Sequence, residues 1–137
     1  MEFSIPVRVY IEDTDAGGIV FYVNYLKFME RARTEWLRSL GFDKAGANRE
    51  SFQFVVKSVD IEYYAPARLD DELVVTAELV KLGGASMKLI QKVYRSEIVL
   101  CSSKIELACV SGATLKPLRI PAEMAEKVKT AIELESP

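Results

Sequence analysis

The chain contains no histidine. That absence excludes Ser–His–Asp and Cys–His machinery, zinc sites built on imidazole and any histidine general base. Acid–base or nucleophilic chemistry here must run on carboxylates, backbone amides, Tyr, Lys or Cys. Cysteine is scarce as well, with only Cys101 and Cys109. Both fall on one predicted strand, where eight extended residues separate them by roughly 26 Å. A disulfide needs Cα atoms within about 7 Å, so the two read as small buried hydrophobes. An excess of positive charge is also missing: 18 Lys and Arg stand among 20 Asp and Glu, for a net charge of −2. Proteins that grip nucleic-acid phosphates carry clustered basic residues, so no nucleic-acid partner is expected. Long apolar runs are lacking too. The longest, Gly17 to Met29, is interrupted by Asn24 and Lys27 and is too short and too polar to span a bilayer. The opening MEFSIPVRVY has no basic segment followed by an apolar run, so it does not read as a signal peptide. A cytoplasmic protein is expected.

What is present suits one globular domain over residues 1–137. Half of the residues are hydrophobic and 28% are charged, enough for one sizeable core. There are no internal repeats, linkers or low-complexity segments. Pro6 to Glu12 alternates apolar and polar residues and predicts a first strand. It runs into Asp13-Thr14-Asp15-Ala16-Gly17-Gly18, a turn-forming cluster. From Tyr22 to Leu40 the pattern is helical, with Tyr25, Met29, Ala32, Trp36 and Leu40 on one stripe and Gly41 as the stop. A loop at Phe42 to Ser51 follows. Phe52–Tyr64, Glu72–Leu82, Ser86–Arg95 and Ile98–Ser111 each suit a long strand, and the short breaks between them predict antiparallel neighbours in a meander. Pro121 to Leu134 predicts a shorter helix with Pro in its first turn. Long antiparallel strands after one apolar helix predict an α+β layer, a sheet wrapped around that helix. Its last strand would present an open edge, so a homo-oligomer pairing edges is expected.

The strand-to-helix junction is where chemistry can sit. Glu12, Asp13 and Asp15 put three carboxylates in four residues, just before a helix start whose free N–H groups and partial positive charge suit an oxyanion. The alternative reading is that one Asp caps the helix or orders the turn. Asp15 is too far before Tyr22 to be the N-cap, and Gly17-Gly18-Ile19-Val20-Phe21 is open-backboned and apolar, suited to lie beneath an elongated ligand. The residues alone leave both readings open. On the helix, Arg33 falls inside the apolar arc, about 80° from Tyr25 at 100° per residue. An ion pair with Glu30 or Glu62 is the structural reading, and Glu30 is the reserve catalytic carboxylate. Tyr63, Tyr64 and Trp36 read as core or interface.

EDTDAGGIVFYVNYLKFMERARTEWL resembles the signature of the hotdog-fold acyl-CoA thioesterases, the group of 4-hydroxybenzoyl-CoA thioesterase and the Tol–Pal-associated YbgC-type enzymes. The likeness continues through VDIEYYAPARLDDEL and covers most of the chain. It implies a hotdog fold, an antiparallel sheet of about five strands around one long helix, assembled as a dimer or a tetramer made of two dimers. It implies hydrolysis of an acyl-CoA substrate with no metal and no redox cofactor. Asp15, second in the D-x-D of Asp13-Thr14-Asp15, takes the place of the catalytic Asp, as nucleophile or as base for water. The backbone N–H of Tyr22 takes the place that polarises the thioester carbonyl. Gly17, Gly18, Ile19, Val20 and Phe21 would lie along the substrate. YbgC-type enzymes have His where this chain has Tyr22, and Tyr where it has Ile11. At position 22 the chain is similar to the 4-hydroxybenzoyl-CoA enzyme, whereas EYYAPARLDD is similar to YbgC. The aromatic-substrate enzyme carries adjacent basic residues where this chain reads Leu82-Gly83-Gly84-Ala85-Ser86. Coenzyme A phosphates would then fall to Lys57, Arg68, Lys81 or Lys88, each of which also reads as an ordinary solvated charge. The rival from another class is a non-catalytic module that binds acyl-CoA or acyl-carrier protein, or docks on a cell-envelope complex. Hotdog dehydratases rely on a histidine absent here.

Overall fold

The computed structural model describes residues 3–42 and 51–135. The element order is β1 (Phe3–Arg8), a single 3-10 turn (Ile11–Asp13), α1 (Asn24–Ser39), β2 (Phe52–Tyr63), β3 (Glu72–Leu82), β4 (Ser86–Arg95), β5 (Ile98–Ser111) and α2 (Ala122–Glu135). The strands form one antiparallel sheet in the order β1-β3-β4-β5-β2. The sheet wraps around α1, which packs on β1, β3 and β4. This is the expected α+β hotdog architecture.

Amphipathic periodicity explains the core. Tyr25, Phe28, Met29, Ala32 and Trp36 on α1 are buried against Leu73, Val75 and Ala77 of β3 and Met87, Leu89 and Val93 of β4. Cys101, Ile105, Leu107 and Cys109 form the inward row of β5, as alternation requires. Both cysteines are unpaired thiols, and burial pushes Cys101 up to about 12. Gly41 takes φ +94 and donates its N–H to the Arg38 carbonyl, ending α1 as a glycine C′ does. The expected loop from Phe42 to Ser51 lies, over residues 43–50, outside the described residues.

Three expectations are corrected. The first strand is Phe3–Arg8, not Pro6–Glu12. Alternation carries the inward row through Val7 and Val9, but Ile11, next in that row, is 76% exposed. The Asp13 carboxylate takes the Tyr10 N–H at 2.9 Å and turns the chain off the sheet. The long helix starts at Asn24 rather than Tyr22, because Phe21–Asn24 closes as a tight turn first, with Asn24 N–H on the Phe21 carbonyl at 2.8 Å. The four later strands are not one meander. β2 and β3 are not neighbours; β2 pairs with the far side of β5, so β2 and not the last strand is the long open edge. A short connection did not force adjacency. Residues 64–71 join β2 to β3 across three strand spacings, about 14 Å, while eight extended residues reach about 26 Å.

One buried amide ties helix to sheet. Gln91 Nε2 donates to the carbonyls of Met29 on α1 and Thr76 on β3 at 2.9 and 3.1 Å, and its Oε1 accepts from Arg33 Nη1 at 2.8 Å. The Arg33 hydrogen bond thus goes to Gln91. Burial pushes the Arg33 guanidinium down, and the charge of Glu30 opposes that push.

Candidate active site

Two aspartates one residue apart have different surroundings. Asp13 is 5% exposed. Its Oδ2 accepts the Tyr10 N–H and its Oδ1 accepts Asn24 Nδ2, each at 2.9 Å. Its carbonyl accepts the Phe21 N–H at 3.0 Å. Asp13 is therefore the clasp that ties the end of the first strand to the start of α1. Asp15 is exposed, and its carboxylate accepts one hydrogen bond, from the Gly17 N–H at 2.8 Å on Oδ1. Part of the structural reading holds, since that bond orders the turn. Asp15 does not cap α1: the N-cap is Val23, with no side-chain bond.

The turn that carries Asp15 is closed by its own backbone. Asp15 N–H donates to the Ile19 carbonyl at 2.9 Å, and Gly18 N–H to the Asp15 carbonyl at 3.1 Å. Gly18 sits at φ +76, where a Cβ is strained, and a Cβ on Gly17 would stand 3.3 Å from Asp15 Oδ1. The turn rests on residues 64–71. Val20 N–H donates to the Ala67 carbonyl at 2.9 Å, and Ile19 bridges to Arg68. The Tyr25 hydroxyl accepts the Ala67 N–H at 2.9 Å from the core side, and burial pushes that hydroxyl's pKa up, against the Ala67 bond.

Asp71 in turn holds this support. Its Oδ2 accepts the Arg68 N–H at 2.8 Å and Arg95 Nη1 at 3.0 Å, and Arg95 also reaches the Pro66 carbonyl at 3.1 Å. Partial burial pushes the Asp71 carboxyl up, but the bonds from Arg68 and Arg95 and the two arginine charges outweigh it, leaving it below its ordinary value. A carboxylate depressed in the folded state stabilises above its unfolded pKa and loses that contribution as pH falls through the folded one. The unfolding temperature of the wild type should therefore drop more steeply than that of Asp71→Asn below about pH 4. Parallel curves for the two proteins would count against this role.

The helix start follows the Asp15 turn in the chain. Among the described residues, the N–H groups of Tyr22 and Val23 meet no acceptor. The Tyr22 side chain is 61% exposed. Its ring lies 5.0 Å from Phe21 and 6.1 Å, edge-on, from Tyr63. The Tyr63 hydroxyl donates to the Tyr22 carbonyl at 3.0 Å. Sequence reasoning placed Tyr63 with the core or an interface. Nothing in the sequence signalled its contact with Tyr22.

The other expected site residues divide. Gly17, Gly18 and Phe21 are exposed, and Ile19 is half-buried, beside Asp15. Val20 is 4% exposed and belongs to the core. Lys57 pairs with Glu106 at 3.9 Å, and Lys88 stands opposite Glu106 in the sheet. Lys57 is about 20 Å along β2 from Tyr63, so the two lysines gather at Glu106 and not at the Asp15 turn. Glu30 lines a shallow cleft with Lys27, Arg31, Thr34 and Glu35, all on α1. Asp15 is not part of that cleft.

The fold is a hotdog domain with an exposed carboxylate, Asp15, on the turn before its central helix. The family model of the thioesterase superfamily matches residues 17–102, beginning two residues after Asp15. The acyl-CoA thioesterase YbgC of Haemophilus influenzae is 44% identical over 89% of this chain and 90% of its own. The acyl-CoA thioester hydrolase YbgC of Escherichia coli O6:H1 is 41% identical over 93% of this chain and 96% of its own. A probable thioesterase from Bartonella henselae superposes with a TM-score of 0.82 at 34% identity, over 88% of this chain and all of that one. The chain belongs to the hotdog-fold thioesterase superfamily, in the YbgC group. Among the described residues no helix is long and apolar enough to cross a membrane.

Proposed function

We propose that the protein hydrolyses acyl-CoA thioesters, with Asp15 as the reacting carboxylate and the Tyr22 N–H polarising the thioester carbonyl. The observation that carries this reading is the division of labour within Asp13-Thr14-Asp15. Asp13 is buried and spent on the fold, whereas Asp15 is exposed on the turn that leads into the helix start, where the Tyr22 and Val23 N–H groups meet no acceptor among the described residues. Water and acyl-CoA give a carboxylic acid and the CoA thiol. Asp15 either takes a proton from the attacking water or attacks the carbonyl itself, forming a mixed anhydride that water then opens. The carbonyl oxygen gains negative charge at the tetrahedral stage, where an N–H donor acts most strongly. The departing thiolate is a good leaving group and needs no strong acid, which suits a site without histidine.

Gly17, Gly18, Ile19 and Phe21 offer backbone and apolar surface along the acyl thioester. Lys57 and Lys88 would meet the phosphates at the far end of the CoA. The open β2 edge, with Val55, Val56 and Val59 between 39% and 48% exposed, suits pairing with a second copy in a cytoplasmic homo-oligomer. The relatives named as acyl-CoA thioesterases support the substrate class. The test is thiol release from short, long and aromatic acyl-CoAs by the purified protein. Release from at least one is expected. Binding without release from any of them would replace this reading with a non-catalytic acyl-CoA-binding module.

A further inference from the structure

The end of β2 meets the start of α1 through one hydrogen bond, from the Tyr63 hydroxyl to the Tyr22 carbonyl at 3.0 Å. Tyr63 is itself braced. Tyr25, buried and bonded through its hydroxyl to Ala67, packs its ring 5.6 Å from the Tyr63 ring. A trans peptide is planar, with its C=O and N–H pointing in opposite directions. Whatever fixes the Tyr22 carbonyl therefore fixes the direction of the Val23 N–H. The preceding peptide is held the same way, because the Phe21 carbonyl accepts the Asn24 N–H at 2.8 Å, which orients the Tyr22 N–H. The first of these peptides is locked from within the turn. The second is locked from another element, by Tyr63.

We propose that Tyr63 is a positioning residue that holds the Tyr22–Val23 peptide so that the Val23 N–H joins the Tyr22 N–H as a second donor to the thioester oxygen. This rests on the reading of the helix start as the carbonyl-polarising group. A bond on the carbonyl also polarises the amide and strengthens its N–H as a donor. Tyr63 does not touch the reacting atoms; it acts through the peptide.

Tyr63→Phe keeps the ring and removes only the O–H. Its kcat on acyl-CoA should fall about tenfold, the size expected when one oxyanion donor is loosened rather than deleted. KM should stay within about twofold, and the unfolding temperature and the shape of the pH–rate profile should not change. A wild-type kcat overturns the proposal. So does a loss that appears only in KM, which would make Tyr63 a substrate contact, or a moved alkaline limb, which would make it a proton donor. Val23→Pro provides the second arm. Val23 has φ −68, which a proline ring adopts, and its N–H makes no bond to lose among the described residues. It should lower kcat at least about tenfold, and adding Tyr63→Phe should then change kcat by less than about twofold, since no N–H remains to be aimed. Independent, multiplying losses overturn the proposal, and if Val23→Pro does not fold, Tyr63→Phe decides alone. Asp15→Asn in the same assay reads the carboxylate assignment separately. A full rate there removes Asp15 from the chemistry, whereas the Tyr63 result concerns the donors.

Discussion

Asp15→Asn should lower kcat on acyl-CoA by at least ~100-fold while substrate still binds, because a lost nucleophile or base raises the barrier by several kcal/mol. The substitution is nearly isosteric. The amide oxygen can still accept the Gly17 N–H that orders the turn, so the backbone around Gly17 and Gly18 keeps its shape. What is lost is the charge and the lone pair that, in the proposed mechanism, attacks the carbonyl or takes a proton from water. Asp15 is exposed, so stability should move by less than about 0.5 kcal/mol. KM should change little, since in the proposed binding mode the acyl thioester lies against turn backbone and Phe21 rather than on the carboxylate. A folded Asp15→Asn protein with wild-type kcat would remove Asp15 from the chemistry.

Asp13→Ala should do the opposite and act first on the fold. The Asp13 carboxylate satisfies the Tyr10 N–H and the Asn24 amide in a buried position. Truncation leaves both donors unpaired at about 1–3 kcal/mol each. A combined loss of roughly 2–6 kcal/mol should lower Tm by on the order of 10 °C in a domain of this size. The conservative Asp13→Asn keeps an acceptor for one of the two donors and should lose less. Calorimetry with acyl-CoA turnover measured well below Tm separates the two aspartates. Asp15→Asn should be stable and slow, and Asp13→Ala unstable. A change under about 1 kcal/mol for Asp13→Ala would show that the clasp does not hold the turn, and the contrast between the two residues would fail with it.

Much of this architecture was legible in the sequence. The stripe of Tyr25, Met29, Ala32 and Trp36 is buried on α1, because a 3.6-residue period leaves only one face for the sheet. The bounds of β3, β4 and β5 fell where Gly83-Gly84 and Ser96-Glu97 break the alternation. The end of β1 was not legible. Ile11 continues the apolar alternation, and only the Asp13 carboxylate two residues later pulls the chain away. The place of β2 was hidden for a geometric reason, since the same connection can join neighbours or cross an entire sheet end.

The site was legible in a different way. Composition and periodicity could not distinguish Asp13 from Asp15, which are chemically identical and two positions apart. The missing histidine made a carboxylate the expected actor, and the family resemblance selected the second one. In the structure the two differ in burial and hydrogen bonding: Asp13 is buried with both carboxylate oxygens bonded, and Asp15 is exposed. Tyr63 could not be seen from the sequence as part of the helix start, because its contact with Tyr22 spans elements that sequence distance keeps far apart. Val20 shows the converse. It sits in the apolar run expected beneath a ligand, yet its side chain is buried in the core.

The most direct test of the central claim is a single-turnover measurement with enzyme in excess over one acyl-CoA, following the CoA thiol in the wild type and in Asp15→Asn. Binding and product release drop out, so the rate reports the chemical step. The expected result is that the Asp15→Asn complex forms and releases thiol at least ~100-fold more slowly than the wild type. Equal rates from the two proteins would contradict it.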